Sequence, residues 1–139
     1  MQTLTVFTPA YNRAHTIGRT YKSLCSQKCK DFVWLIVDDG STDNTAELVK
    51  DWMSKDNGGM HTAHNVAYRN IHTELNTCID SDDALSENAV EKIINKWNQV
   101  KSRGYAGIIA LDANMNTGKV IGNGFPKDMT ETTLSGYYA

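Results

Sequence analysis

The sequence predicts an α/β domain, built on an open, mainly parallel β-sheet with helices on both faces. Three observations predict it. Strand-like apolar runs alternate along the chain with stretches whose apolar residues recur at helical spacing. The second run, Phe32 to Val37, is apolar at every position, which suits a strand covered on both faces. Polar clusters follow the strand candidates directly, at Thr8 to Arg13, Asp38 to Ser41 and Asp80 to Asp83. In open parallel sheets, ligands bind beyond the carboxyl ends of the strands.

Taken in order, Thr3 to Thr8 alternate polar and apolar residues and stop at Pro9, the pattern of a first strand. Ile17, Tyr21, Leu24 and Cys25 then fall on one face of a helix. The second strand, Phe32 to Val37, ends abruptly in Asp38-Asp39-Gly40-Ser41. Thr42-Asp43-Asn44 supplies a cap for the next helix, and Glu47 suits its first turn. Its expected buried stripe is Thr45, Leu48, Val49, Trp52 and Met53. Ser54 to Asn76 is polar, contains Gly58-Gly59 and shows no strand pattern. A short strand from Thr77 to Ile79 leads into Asp80-Ser81-Asp82-Asp83. Ser86 is expected to cap a third helix, with Leu85 stapled to Val90 and a stripe of Val90, Ile93, Ile94, Trp97 and Val100. Tyr105 to Leu111 and Lys119 to Ile121 read as two strands joined by a turn around Asn116-Thr117-Gly118.

A chain of 139 residues fits one domain, large enough to bury a core without disulfide or metal staples. Hydrophobic residues at 40% and charged residues at 22% are ordinary for a soluble globular protein. A net charge of −2 gives no basic stripe, so nucleic acid is not an expected partner. Phe32 to Val37 falls far short of the ~20 apolar residues of a membrane helix. Met1-Gln2-Thr3-Leu4 lacks the pattern of a signal peptide. The expected location is therefore cytoplasmic, and a place peripheral to a membrane is compatible with it. Cys25, Cys29 and Cys78 cannot all pair within one chain, and no second pair at ligand spacing follows Cys25 and Cys29, which favours reduced thiols over zinc.

Three carboxylates within Asp80-Ser81-Asp82-Asp83 repel one another, and a divalent cation with oxygen ligands is the usual compensation. Mg²⁺ and Mn²⁺ suit such a site. An acidic helix N-terminus is the competing reading, and on these residues alone the two stand level. A calcium loop is excluded, because its sixth position needs glycine and here is Leu85, and Ala84 offers no ligand oxygen. Neither a dinucleotide fingerprint nor a P-loop occurs. Asp38 and Asp39 exceed what a turn requires, and a carboxylate accepts hydrogen bonds from a base N–H or a ribose hydroxyl. Tyr11 offers a ring for a base to stack on, against the alternative of partial core burial. His61 and His64, three apart, read as a solvated loop in preference to a phosphate or metal contact.

The motifs together resemble glycosyltransferase family 2. Thr5-Val6-Phe7-Thr8-Pro9-Ala10-Tyr11-Asn12-Arg13 is similar to that family's opening strand and P-x-Y-N turn. Leu35 to Asp43 resembles its second signature, Asn57-Gly58-Gly59 with Ala63-His64-Asn65 its N-x-G-x-x-x-A-R-N segment, and Asp80-Ser81-Asp82-Asp83 its D-x-D metal motif. Four motifs in the family's order, across roughly Thr3 to Glu91, make the resemblance specific.

The resemblance implies a Rossmann-like sheet of the GT-A type and a nucleoside-diphosphate sugar donor, usually UDP-linked, with Mn²⁺ or Mg²⁺ as cofactor. It implies transfer of the sugar to a polysaccharide or glycan acceptor. By analogy, Thr8, Pro9, Ala10, Tyr11, Arg13, Asp38, Asp39, Asn65 and Asp80 bind the nucleotide sugar, with Asp39 on the base N–H. Asp82 is the main metal ligand, and Asp80 faces the ribose or the metal.

The chain departs from the pattern at Met60, where a basic residue is frequent, at His64 in place of the arginine of A-R-N, and at Ala67 and Thr73 in place of glycines. Only Ser54-Lys55-Asp56 separate the second helix from Asn57, so the family's third strand is lost or a segment is missing there. The family's general base lies well beyond D-x-D, and Asp112, Asp128 and Glu131 match no motif for it. The expectation is one incomplete domain over residues 1–139. Residues 1–91 carry the donor signatures, 105–139 begin the acceptor side, and the base lies beyond Ala139. Apolar surface near Tyr105 to Ile121 would then favour self-association. Two other classes compete. A sugar-phosphate nucleotidylyltransferase should show a glycine-rich loop after the first strand, and Thr8 to Arg13 has no glycine. A noncatalytic sugar-nucleotide-binding or assembly module is the third class.

Overall fold

The first strand, β1 (Leu4–Ala10), lies at the middle of the sheet and extends two residues past the expected Thr8. The computed structural model describes residues 2–55, 61–62 and 70–132. β2 (Phe32–Asp38) pairs with β1 in parallel along its whole length, from Leu4↔Phe32 to Ala10↔Asp38. β3 (His61–Thr62) pairs with β2 at Leu35 and Ile36. β4 (Leu75–Cys78) pairs with the other side of β1, from Leu4↔Leu75 to Phe7↔Cys78. Pro9 therefore lies past the end of the β4 ladder, where its missing N–H interrupts no β1–β4 pairing.

The spatial order is β3-β2-β1-β4, with every pairing parallel. The chain moves outward from β1 through β2 to β3, then returns to the far side of β1. That reversal opens a crevice at the carboxyl ends of β1 and β4, which is where such sheets take their ligands.

Three helices carry the connections: α1 (Ile17–Cys25), α2 (Thr45–Lys55) and α3 (Ala89–Val100). Their apolar faces join the even-numbered side chains of β1 and β2 in one cluster. It contains Leu4, Val6, Trp34 and Ile36 from the sheet, Ile17 and Leu24 from α1, Val49 from α2, and Val90, Ile94 and Trp97 from α3. Leu4, Ile17, Ile36 and Val90 are each at most 1% exposed, and burial of such a side chain contributes about 1.5–3 kcal/mol. Ile36→Ala would open a cavity between β2 and the helices at a cost of about 2–5 kcal/mol. Tyr21 stacks on Trp52 with centroids 4.3 Å apart, and Trp34 lies beside both rings.

Several local expectations are corrected. Cys25, placed on the buried face of α1, is exposed, and Thr20 is the buried residue in its stead. The polar stretch from Ser54 holds β3, which the sequence left without a strand; its two residues match the open edge of β2, whose N–H and C=O groups need a partner. β4 begins at Leu75, two residues before the expected Thr77. Ser86 does not cap α3, whose first residue is Ala89. Gln27 takes that role from across the fold: its buried side-chain oxygen accepts the Val90 N–H at 3.2 Å, and its amide group donates to the carbonyls of Ser23 and Ser86. The side chain of Met53 lies outside the described residues.

The chain divides into two compact units, residues 1–108 and 109–139. Tyr105 to Leu111 forms no strand; within the first unit, Tyr105 and Ile108 pack against the core cluster. In the second unit the expected hairpin shrinks to one antiparallel bridge, Ala113↔Val120. The Asn114 side chain explains the contraction. It accepts the N–H groups of Asn116 and Thr117, both at 3.0 Å, and holds a local turn that Gly118 closes at a φ of 68°. Ile109, Met115, Val120, Ile121 and Phe125 are exposed. Among the described residues, no helix is long and apolar enough to cross a membrane.

Candidate functional site

The loops that follow β1 and β2 are bound into one body. Asn12 adopts a φ of 53°, a left-handed conformation that asparagine tolerates better than most residues. Its side-chain oxygen accepts the N–H of Thr42 at 2.8 Å and of Asp43 at 3.2 Å. In return, the N–H groups of Asn12, Arg13 and Ala14 donate to Ser41 Oγ, Thr45 Oγ1 and Asp43 Oδ2. The Asp39 N–H extends the ladder by donating to the Ala10 carbonyl at 2.9 Å. Asp43 accepts both the hydroxyl and the N–H of Thr45, and so begins α2. Its carboxyl is held below the ordinary value of 3.8 chiefly by the Thr45 hydroxyl, against a smaller opposing effect of burial.

The third loop leaves β4. Ile79 donates its N–H to the Phe7 carbonyl, and the chain then turns, with the Asp83 N–H on the Asp80 carbonyl at 3.0 Å. The carboxylate oxygens of Asp80, Asp82 and Asp83 are exposed and lie within 4.8 Å of one another. Three hard oxygen donors at that spacing, open to solvent on one side, fit a Mg²⁺ or Mn²⁺ ion that also needs positions for water or phosphate oxygens. Asp83 thus joins the two acids that the sequence put forward as ligands. Behind the loop, the exposed Cys78 has its thiol pushed up by the protein packed around it and, secondarily, by the Asp80 charge.

The three loops border a half-open cleft of about 550 Å³. Pro9, Ala10, Tyr11 and Arg13 line it from β1 and its loop, Val37 and Asp39 from the end of β2, and Asp80, Ser81 and Asp82 from the loop after β4. Tyr11 is 57% exposed, with its ring available to a ligand and not part of the core.

Two expected site residues do not line this cleft. Thr8 is fully buried, and its hydroxyl oxygen accepts the Trp34 indole N–H at 2.9 Å. Asp38 is buried too, and its carboxylate accepts the N–H and hydroxyl of Ser41, fixing the turn through Gly40. Asn65 and His64 lie outside the described residues, as does the side chain of His61. Sequence reasoning missed Val37 and Ser81, which are set by the register of β2 and the first turn after β4. It also missed Arg19 and Thr20 of α1, whose side chains reach the carbonyls of Asp82 and Asp83.

Comparison with known proteins follows the same geometry. The description of glycosyl transferase family 2 matches residues 5–131, nearly the whole chain. The chain belongs to that family. Among family 2 relatives, the chondroitin synthase of Pasteurella multocida (strain Pm70) is 33% identical over 132 residues, covering 88% of this chain. The chain spans 14% of that relative's length. The crystal structure of S. aureus TarS 1-349 in complex with UDP superposes with a TM-score of 0.66 at 24% identity, over 72% of this chain and 33% of that one. The mannosyltransferase PcManGT from Pyrobaculum calidifontis, in complex with GDP-Man and Mn²⁺, gives a TM-score of 0.62 at 20% identity, over 68% of this chain and 32% of that one. These two likenesses establish the GT-A fold for this family 2 chain.

Proposed function

We propose that the cleft binds a nucleoside-diphosphate sugar, UDP-linked by preference, and that the chain is the donor-binding part of an enzyme passing that sugar to a glycan acceptor. The observation that carries the reading is the convergence of Tyr11, Asp39, Asp80 and Asp82, from three separate strand ends, on one cleft. Each has a role suited to a different part of the donor. The exposed Tyr11 ring offers a face to the base, and Asp39 can accept the base N–H. Arg13, at the cleft wall, places a positive charge within reach of an anionic donor. Asp80 serves the ribose or the cation, and Asp82 is the principal cation ligand, with Asp83 adjacent. A divalent cation held there would neutralise the diphosphate and stabilise it as a leaving group. The superposable mannosyltransferase, with its Mn²⁺, supports Mn²⁺ or Mg²⁺ as that cation.

Residues 1–91 are read as the donor side, and 105–139 as the start of the acceptor side. The general base is not assigned to any residue of the chain.

Titration calorimetry with UDP, in Mn²⁺ and again with chelator, tests the reading. Asp82→Ala should weaken binding in Mn²⁺ by about tenfold or more, and should change little once the metal is chelated. Equal losses in both conditions would mean that Asp82 serves the fold. Absence of UDP binding by the unaltered chain would overturn the donor site itself.

A further inference from the structure

We propose that Arg19 and Thr20, on α1, are positioning residues that set the acidic loop in the shape a cation requires. The inference rests on the reading above, in which Asp80 and Asp82 hold that cation. Residues 79–88 contain no helix or strand, yet the loop must keep three carboxylates closer together than their mutual repulsion favours. Its backbone carbonyls are gripped from α1. Arg19 Nη1 donates to the Asp82 carbonyl at 2.8 Å. The Thr20 hydroxyl lies 2.8 Å from the Asp83 carbonyl and 3.4 Å from that of Asp80. Thr20 is fully buried, so its hydroxyl is a fixed post, while Arg19 is exposed and adds a positive charge beside the acidic cluster.

The grip continues along the chain. Ser23, one turn after Arg19, accepts the Leu85 N–H at 3.2 Å, and Gln27, two residues past the end of α1, holds Ser86 and Val90. Residues 19, 23 and 27 therefore engage the chain in step with its progress from 82 to 90. A carbonyl fixed at Asp82 fixes the peptide plane next to its own Cα, and with it the direction in which the carboxylate leaves the backbone. Without the Arg19 bond, Asp82 would sample orientations that no longer share a centre with Asp80.

The test measures Mn²⁺ binding to this chain in the presence of UDP, by the electron paramagnetic resonance signal of free Mn²⁺, with a thermal melt of each variant. Arg19→Ala should weaken Mn²⁺ binding roughly fivefold to tenfold, about the effect of losing one charge-assisted hydrogen bond, with an unchanged Tm. Arg19→Lys should restore most of the affinity, because an ammonium can still reach a carbonyl. Thr20→Val should weaken binding similarly, and Thr20→Ser should retain it. Should Thr20→Val fail to fold, the exposed Arg19 pair decides the matter. Asp82→Asn is the reference variant. If it abolishes Mn²⁺ binding while Arg19→Ala stays within twofold of the unaltered chain, the positioning role is wrong and the donor site stands. If Asp82→Asn leaves Mn²⁺ binding intact, the cation site is wrong and the role of Arg19 falls with it.

Discussion

The side-chain oxygen of Asn12 accepts the backbone N–H of Thr42 at 2.8 Å, and so joins the loop after β1 to the loop after β2. Tyr11 and Asp39, which face the same cleft, stand on either side of this junction. The β1–β2 register, ending at Ala10↔Asp38, brings the two side by side, and the Asn12 bonds hold the loops just beyond it.

Asn12→Ala should lower stability by about 2 kcal/mol. It removes the acceptor of the Thr42 and Asp43 N–H groups and places a residue less suited to it in a left-handed conformation. Asn12→Gly should recover the conformational part and lose the bonding part. UDP affinity should drop in both. Urea denaturation and calorimetry on the two variants give the measurement, and equal stability of all three proteins would contradict the junction.

Asp38 and Asp39 are neighbours with opposite duties. Asp39→Ala should weaken UDP binding about tenfold and leave the Tm in place, because its carboxylate is exposed in the cleft. Asp38→Ala should lower stability by about 1–3 kcal/mol, since it leaves the Ser41 N–H and hydroxyl without their acceptor. A melt and a UDP titration on each variant suffice. Reversed outcomes would mean the register at the end of β2 is wrong.

Gln27→Leu keeps the side-chain volume approximately but strips three polar partners at once: the carbonyls of Ser23 and Ser86 and the N–H of Val90. At 2% exposure, water cannot substitute readily. A loss of about 2–3 kcal/mol is expected in denaturant unfolding. The protection of the Val90 amide against hydrogen exchange should fall with it. A variant as stable as the parent would show that α3 docks without this residue.

Asp43 gives a pH signature. Its folded-state value lies below the ordinary 3.8, with the Thr45 hydroxyl as main cause, so its ionised form stabilises the fold. That contribution is complete above about pH 5 and is lost as pH falls through the lowered folded-state value. The Tm difference between the parent and Asp43→Asn should therefore be constant at neutral pH and should close in acid below pH 3.8. A gap that widens in acid would assign the effect to another carboxylate.

Much of this architecture was readable in advance, because periodicity reports burial. Leu4 and Val6 alternate with Thr3 and Thr5, and Phe32 to Val37 is apolar throughout; both became strands of the central sheet. The same periodicity also marks two inward-facing polar residues. Thr8 falls in phase with Leu4 and Val6, and Asp38 in phase with Trp34 and Ile36, so both point inward with the core. Their odd-numbered neighbour Asp39 faces the cleft. Other features left no local trace. Two residues of β3 are too few to show alternation, and their pairing is decided by the edge they meet. Arg19 and Thr20 look like ordinary surface positions of an amphipathic helix, because their partners lie more than sixty residues away. Tyr105 to Leu111 had the composition of a strand and no ladder to join among the described residues.

The hydrogen bonds of the first loop also decide how an anion can be met in this cleft. Many nucleotide sites present a row of main-chain amides at the start of a helix and let phosphate settle on them. Here the amides of Asn12, Arg13 and Ala14, just ahead of α1, already point at Ser41, Thr45 and Asp43. The amides of Thr16 and Ile17 turn back onto the Arg13 carbonyl. A diphosphate arriving there finds those donors satisfied by the protein itself. Under the proposed reading, its negative charge is met instead by the Arg13 side chain and by a cation held at Asp80 and Asp82.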